Sequence, residues 1–156
     1  MAVLVTAALL LTGCGSASVD SAGPSTTHEF VGTTLEGEPF DGSTLAGSPA
    51  VLWFWAPWCP TCRAQQAAVS ELAETHDDVR FVGVAGLDED VDFMAEFAAG
   101  TSAEITHLGD SAGEVWRHFG VTAQSTYVVL DAAGTVVAEG YLDNDELRRT
   151  VAGLAG

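Results

Sequence analysis

Hydrophobic residues in the middle of the chain follow two patterns, which predict alternating strands and helices. Two segments are almost wholly apolar, Ala50–Trp55 and Val79–Ala85, as expected of strands buried on both faces. Between them, Pro60–His76 carries apolar residues at helical spacing, and Pro60 stands in the first turn, where a helix tolerates proline. The pattern therefore predicts a buried strand, a helix and a second buried strand in direct succession.

Weaker patterns on both sides predict the remaining elements. We expect strands at His28–Thr34, Ile105–Leu108, Thr126–Leu130 and Thr135–Tyr141. We expect helices at Asp90–Ala99, Ser111–Phe119 and Asp143–Ala155, with Asp143 as the N-cap of the last one. This order predicts an α/β fold: a central mixed sheet with helices on both faces, an extra N-terminal strand and a helical insertion at about residues 86–112.

The first 27 residues differ in composition from the rest. Residues 1–14 are largely apolar but too few to span a bilayer as a helix, which needs about 20 residues. Their last four, Leu11-Thr12-Gly13-Cys14, resemble a bacterial lipobox, in which the cysteine is acylated and becomes the new N-terminus. Residues 15–27 are small and polar and predict a flexible linker, which leaves 28–156 as the folded domain.

The lipobox predicts a lipid anchor at Cys14 and a cell-membrane lipoprotein on the extracytoplasmic side. No Lys or Arg precedes the apolar run, although a signal peptide normally begins with positive charge. Either the true start lies further upstream or the segment does not act as a signal.

Charge is strongly unbalanced along the chain. The sequence has 22 acidic and 5 basic residues, for a formal net charge of −17. Nucleic acid is therefore not an expected partner, because phosphate binding depends on Lys and Arg. The acidity itself indicates no more than solubility and self-repulsion.

Cys59 and Cys62 are the candidate reactive residues. They follow a predicted buried strand and open a predicted helix, where backbone N–H groups and the helix dipole stabilise a thiolate. Two intervening residues place Cys62 about one turn further on, close enough for a disulfide. We expect Cys59 to be the exposed nucleophile and Cys62 the more sheltered resolving thiol.

Other uses of a Cys-x-x-Cys motif fit the sequence less well. Zinc would need two further ligands, and the four histidines are scattered. Haem attachment needs histidine directly after Cys62, where Arg63 stands. A peroxiredoxin would have threonine at the position of Ala56. We therefore expect thiol–disulfide chemistry with no metal and no organic cofactor.

Two segments carry a family resemblance: Val51–Cys62 (VLWFWAPWCPTC) and Phe119–Tyr127 (FGVTAQSTY). The first resembles the active-site segment of secreted actinobacterial Dsb-type disulfide oxidoreductases, the DsbE/DsbF kind within the TlpA/ResA thioredoxin-like group. The second is similar to the family's loop that faces the cysteines. The resemblance covers residues 28–153.

The resemblance implies a thioredoxin-like fold and disulfide exchange with cysteine-containing exported proteins. It also implies a membrane redox partner that resets the cysteine pair. Substrate contacts are expected from the residues beside the cysteines and from the facing loop. These are Trp58, Pro60, Thr61, Gln124, Ser125 and Thr126.

Three positions depart from the family pattern. Relatives carry a cis-proline where this chain has Ser125, which leaves open whether this loop is cis or trans. Relatives have glutamate where this chain has Gln65, and thioredoxin has a buried aspartate at the position of Trp53. No acidic proton acceptor is evident beside Cys62, so proton transfer through water is expected.

The direction of exchange is not determined by these residues. Pro60-Thr61 lacks the Gly-Pro pair of reducing thioredoxins, which favours oxidation weakly. Two alternatives stay open: a redox-inactive or metal-holding binding lipoprotein of the same fold, and a thiol peroxidase.

Overall fold

The structure, a computed structural model, describes residues 26–154. The apolar N-terminal run, Cys14 and most of the predicted linker lie outside the described residues. Thr26 and Thr27, which we assigned to the linker, instead form a 3-10 turn with His28, and the Thr27 hydroxyl donates to the carbonyl of Gly134. Within the described range, no helix combines the length and apolarity needed to cross a bilayer.

Seven strands and four helices follow in the described chain. The strands are β1 Val31–Thr33, β2 Pro39–Asp41, β3 Ala50–Trp55, β4 Arg80–Ala85, β5 Ile105–Gly109, β6 Thr126–Leu130 and β7 Val136–Gly140. The helices are α1 Pro60–Thr75, α2 Val91–Ala98, α3 Glu114–His118 and α4 Asn144–Ala152.

The central sheet has the strand order β5-β4-β3-β6-β7. β3 is parallel to β4 and antiparallel to β6, and β4 is parallel to β5. β1 and β2 form a separate antiparallel pair. The mixed sheet that the sequence predicts is confirmed, and the segment between β4 and α3 supplies both α2 and the edge strand β5.

Successive residues of β3 point into two different cores. Val51, Trp53 and Trp55 pack with buried residues of α1, α2 and α4. Leu52 and Phe54 pack on the other face, with residues of α3 and of the N-terminal segment. All six residues of β3 are buried, which explains why the strand reads as a continuous apolar run.

Two predictions about the shorter elements are wrong. The strand predicted at His28–Thr34 is only β1, and its partner β2 was missed because three residues that begin with proline give no periodic signal. The helix predicted at Ser111–Phe119 begins only at Glu114. Gly113 adopts φ 69, which ends the helix on that side, and the carboxylate of Asp110 accepts the N–H groups of Glu114 and Trp116 at 2.7 and 2.9 Å.

The other boundaries agree closely with the prediction. β3 has the predicted bounds, and α1 ends one residue early, at Thr75. Asp143 caps α4 as expected: its carboxylate accepts the N–H of Glu146, and the Glu146 carboxylate accepts the N–H of Asp143.

The sheet brings three loops to one edge. Trp55 and Ala85 are paired at the carboxyl ends of the parallel strands β3 and β4, and the N–H of Gly86 donates to the carbonyl of Trp55 at 3.0 Å. β6 runs the opposite way, and its first residue, Thr126, pairs with Phe54. The segments after β3, after β4 and before β6 therefore meet beside the predicted cysteine pair.

His107, on β5, is a buried histidine in the larger core. Its ring lies edge-on to Trp55 at 5.5 Å, and its Nε2 is 2.8 Å from the Thr101 hydroxyl oxygen. Burial lowers the pKa of His107 to about 4, and the charge of Glu36 opposes the shift only in part. The imidazole is neutral at neutral pH.

His107 predicts a pH dependence of stability. The pKa of His107 is lower in the folded protein than in the unfolded chain, so the unfolded chain binds more protons than the folded protein as the pH falls below 6.5. The contribution of neutral His107 to folding stability is therefore complete above pH 6.5 and is lost as the pH falls towards 4. Between pH 7 and pH 5, the free energy of unfolding should fall by about 2 kcal/mol more than in His107→Gln. Urea unfolding of both proteins at constant ionic strength measures this difference. If the free energy of unfolding changed with pH equally in the two proteins, this prediction would be contradicted, because all groups other than His107 titrate in both.

Candidate active site

Cys59 and Cys62 lie at the N-terminus of α1, directly beyond β3. Cys59 is the N-cap, and its Sγ accepts the N–H of Cys62 at 3.0 Å. Pro60 follows as the first helical residue, where its missing N–H costs nothing. The two cysteines form a disulfide with their Cα atoms 5.3 Å apart. The predicted placement is confirmed.

The expected difference in exposure between the two cysteines is wrong. Cys59 is 2% exposed and Cys62 is 0% exposed, so neither cysteine is accessible to solvent in this disulfide form. The N-cap geometry turns the Cys59 side chain back over the first turn of α1, and the loop before β6 lies against it. This cover could not be read from the local sequence, because the loop lies 66 residues away.

Ser125 is the loop residue that touches the disulfide. Its Oγ lies 3.2 Å from the Sγ of Cys59 and 3.2 Å from the Sγ of Cys62. The described residues contain no cis peptide bond, so the loop is trans at this position. Ser125 adopts φ 65, a left-handed conformation that is sterically disfavoured for residues other than glycine, Asn and Asp. Ser125 therefore presents a hydroxyl group to both sulfurs from a left-handed backbone.

The other two departures from the family pattern are joined by a hydrogen bond. The indole Nε1 of Trp53 donates to Oε1 of Gln65 at 3.0 Å, and both side chains are buried. The Gln65 amide nitrogen donates a long hydrogen bond, 3.5 Å, to the carbonyl of Ser125. A neutral polar chain thus runs from the core to the loop.

Trp58 is exposed as predicted, at 47%, although it directly precedes the buried Cys59. Its indole N–H donates to the carbonyl of Leu87 at 3.2 Å. Leu87 is itself 51% exposed and adopts φ 59. Leu87 was not among the predicted site residues. Its approach to Trp58 follows from the rule that the loops after adjacent parallel strands meet at the same end of a sheet.

The remaining predicted contact residues adjoin Cys59, Cys62 or Ser125 in the sequence. Pro60 and Thr61 are exposed, and Gln124 and Thr126 are partly buried. The Thr126 hydroxyl donates to the carbonyl of Ala123 at 2.9 Å, so it supports the loop from within.

Hydrogen bonds to the sulfurs within residues 26–154 come from the Cys62 amide and the Ser125 hydroxyl. The guanidinium of Arg63 lies over the Phe97 ring, 5.2 Å from its centroid, and is exposed, as expected of a surface residue. No group of three or more His, Cys, Asp or Glu residues in this range is placed to hold a metal ion. The arrangement provides a disulfide between a helix N-terminus and a hydroxyl group.

Comparison with known proteins agrees with this geometry. The sequence model of the Redoxin family matches residues 18–155. The soluble secreted antigen MPT53 of Mycobacterium tuberculosis and Mycobacterium bovis is 40% identical over 130 residues, which are 81% of this chain and 75% of MPT53.

Two solved structures are similar in fold and sequence. The structure of MTB dsbF in its mixed oxidized and reduced forms is 44% identical, with a TM-score of 0.79 over 85% of this chain and 100% of dsbF. A secreted Mycobacterium tuberculosis disulfide oxidoreductase homologous to E. coli DsbE is 39% identical, with a TM-score of 0.75 over 82% of this chain and 98% of that one. The chain therefore belongs to the redoxin family, and it is a thiol-disulfide oxidoreductase of the DsbE/DsbF type, with a thioredoxin-like fold and a Cys59–Cys62 pair.

Proposed function

We propose that this enzyme exchanges its Cys59–Cys62 disulfide with cysteines of exported proteins, outside the cytoplasm and in the oxidising direction. The observation that carries the proposal is the disulfide at the N-terminus of α1, where the helix stabilises the thiolates formed when the bond opens. The names of its relatives support the location, since MPT53 is a secreted antigen and the DsbE homologue is secreted.

Exchange proceeds in two displacements. A substrate thiolate attacks Cys59 Sγ, and the electron pair of the disulfide bond passes to Cys62 Sγ. The second substrate thiolate then attacks its own sulfur in the mixed disulfide, and Cys59 leaves with the bonding pair. The substrate loses two electrons to the cysteine pair, and its two thiol protons balance the two thiols formed. In the reducing direction, the same steps run backwards.

The surface around the pair is where an unfolded polypeptide would bind. Trp58, Pro60 and Thr61 are exposed and adjoin the cysteines in sequence, and Gln124 and Thr126 flank Ser125, whose hydroxyl group lies against both sulfurs. Because Cys59 is 2% exposed, an approaching thiolate must displace the atoms that cover its sulfur.

The reduced enzyme must lose two electrons before its next turn. We assign this step to a membrane redox partner, because a protein that works outside the cytoplasm needs an acceptor there. A lipid anchor at Cys14 followed by the linker would hold the domain near such a partner.

Cysteine variants test the assigned roles. Cys62→Ser should accumulate a mixed disulfide with an oxidised model protein, because Cys59 can attack but nothing resolves the product. Cys59→Ser should accumulate it at least about tenfold more slowly, because Cys59 Sγ is the N-cap atom that accepts the N–H of Cys62, which stabilises its thiolate, whereas Cys62 lies within the first turn of α1. Non-reducing electrophoresis with mass mapping of the joined peptides measures both rates.

The wild-type protein is the control for turnover: it should transfer its disulfide to a reduced, unfolded protein without trapping. Equal trapping by the two variants would contradict the assigned roles. Absence of transfer would favour the binding lipoprotein, and bound metal in the same sample would favour its metal-holding form. Peroxide consumption without transfer would favour a thiol peroxidase.

The anchor has a separate test. Cys14→Ser should move the full-length protein from the membrane fraction to the soluble fraction when it is expressed in a bacterium that acylates lipoproteins. Cys59→Ser, which removes a cysteine outside the lipobox, should stay in the membrane fraction. Unchanged fractionation of Cys14→Ser would contradict the lipid anchor.

A further inference from the structure

Ser125 is 7% exposed, and its hydroxyl group lies against both sulfur atoms. A serine hydroxyl has one hydrogen to donate and can accept through its oxygen, and rotation about the C–O bond redirects that hydrogen. The two Oγ–Sγ distances are equal, 3.2 Å, so the same hydroxyl can donate to either sulfur. A proline at this position would offer no donor.

The backbone of Ser125 adopts a strained conformation at the point where its hydroxyl group contacts the sulfurs. Its φ of 65 lies in the left-handed region, and the residue has a Cβ that glycine would lack. Strained residues of this kind persist where the surroundings determine them, and they concentrate at active sites. Here the loop is held by the start of β6, where Thr126 pairs with Phe54, and by the amide of Gln65 on the Ser125 carbonyl.

We propose that Ser125 is a catalytic residue, whose hydroxyl group donates a hydrogen bond to whichever cysteine sulfur carries the negative charge during disulfide exchange. The proposal rests on the exchange function proposed above and adds the group that stabilises its thiolates. A hydrogen bond to a charged acceptor is about twice as strong as a neutral one, so the contact gains strength when the disulfide opens.

The two displacements use the hydroxyl in turn. When the substrate thiolate bonds to Cys59 Sγ, the disulfide's electron pair goes to Cys62 Sγ, and the hydroxyl donates to that thiolate. When the substrate closes its own disulfide, the pair goes to Cys59 Sγ, and the hydroxyl turns towards it. Ser125 forms no covalent bond, and its proton stays on Oγ throughout.

A neutral donor to the thiolate matters here because the buried Trp53–Gln65 pair carries no charge. Trp53 and Gln65 are neutral and satisfy each other, so this pair offers no charge to the sulfurs. The Cys62 N–H donates to Cys59 Sγ, so within residues 26–154 the hydrogen-bond donor to Cys62 Sγ is the Ser125 hydroxyl group.

Paired substitutions of Ser125 separate the hydroxyl from the backbone. Ser125→Ala removes the hydroxyl and keeps the strain of a Cβ at positive φ, whereas Ser125→Gly removes the hydroxyl and relieves that strain. In reduced full-length protein, the pH profile of Cys59 alkylation should shift up by about one unit in both variants, the size expected for loss of one charge-assisted hydrogen bond. At neutral pH, alkylation should slow by up to about tenfold.

The measurement is the rate of iodoacetamide reaction from pH 4 to 9, with peptide mass mapping to separate Cys59 from Cys62 and Cys14. Urea unfolding of the oxidised variants provides the structural comparison: Ser125→Gly should be at least as stable as Ser125→Ala, although both shift the profile. A profile within about 0.3 unit of wild type in both variants would overturn the proposal. A shift in Ser125→Ala alone would also overturn it, because backbone strain would then be the cause.

Failure of the proposed function would look different. If wild-type protein transfers its disulfide to a reduced protein and Ser125→Gly keeps the wild-type pH profile, the exchange function stands and the role of Ser125 falls. If the wild-type protein does not transfer its disulfide at all, the exchange function falls, and the role of Ser125 falls with it.

Discussion

β3 lies between β4 and β6, and the burial of both its faces determines where everything else in the site can stand. Trp53 and Trp55 fill one core and Phe54 the other, and fully burying a large apolar side chain contributes about 1.5–3 kcal/mol. A strand held from both sides cannot slip in register without moving every side chain to the wrong face. The segment that follows Trp55 therefore leaves the sheet at a defined point, and α1 begins five residues later, at Pro60.

The chemistry at that point is built from neutral groups. The chain has a formal net charge of −17, yet the groups that donate hydrogen bonds to the sulfurs are neutral: the amide N–H of Cys62 and the hydroxyl group of Ser125. Both can stabilise negative charge without carrying any. Exposed charges more than about 10 Å away are largely screened at ordinary salt, whereas these direct contacts are not. The acidic surface and the thiolate-forming site can therefore coexist in one domain.

The sequence was informative where long patterns or local geometry decide the outcome. β3 and α1 were predicted to within one residue, because a six-residue apolar run and a sixteen-residue amphipathic helix give strong signals. The position of Cys59 at a helix N-terminus followed from the same two patterns. β2 has three residues and α3 has five, too few for a period to show.

What the sequence could not provide were contacts between distant segments. The burial of Cys59 depends on Ser125, and the anchoring of Trp58 depends on Leu87, each in a different loop. Trp53 and Gln65 looked like two independent departures from the family pattern, but they form one hydrogen-bonded pair. Positive φ at Ser125 and Leu87 has no signature in residue type, since neither is glycine or asparagine.

The most direct test of the central claim, that Cys59–Cys62 is a redox pair that works as an oxidant, is its equilibrium reduction potential in glutathione buffers. If the pair works as an oxidant, metal-free protein should show one reversible two-electron transition near or above about −180 mV. A reversible value near or below about −250 mV would contradict the oxidising direction and indicate a reductant. A pair that does not titrate reversibly, or that is occupied by metal, would contradict the redox assignment itself.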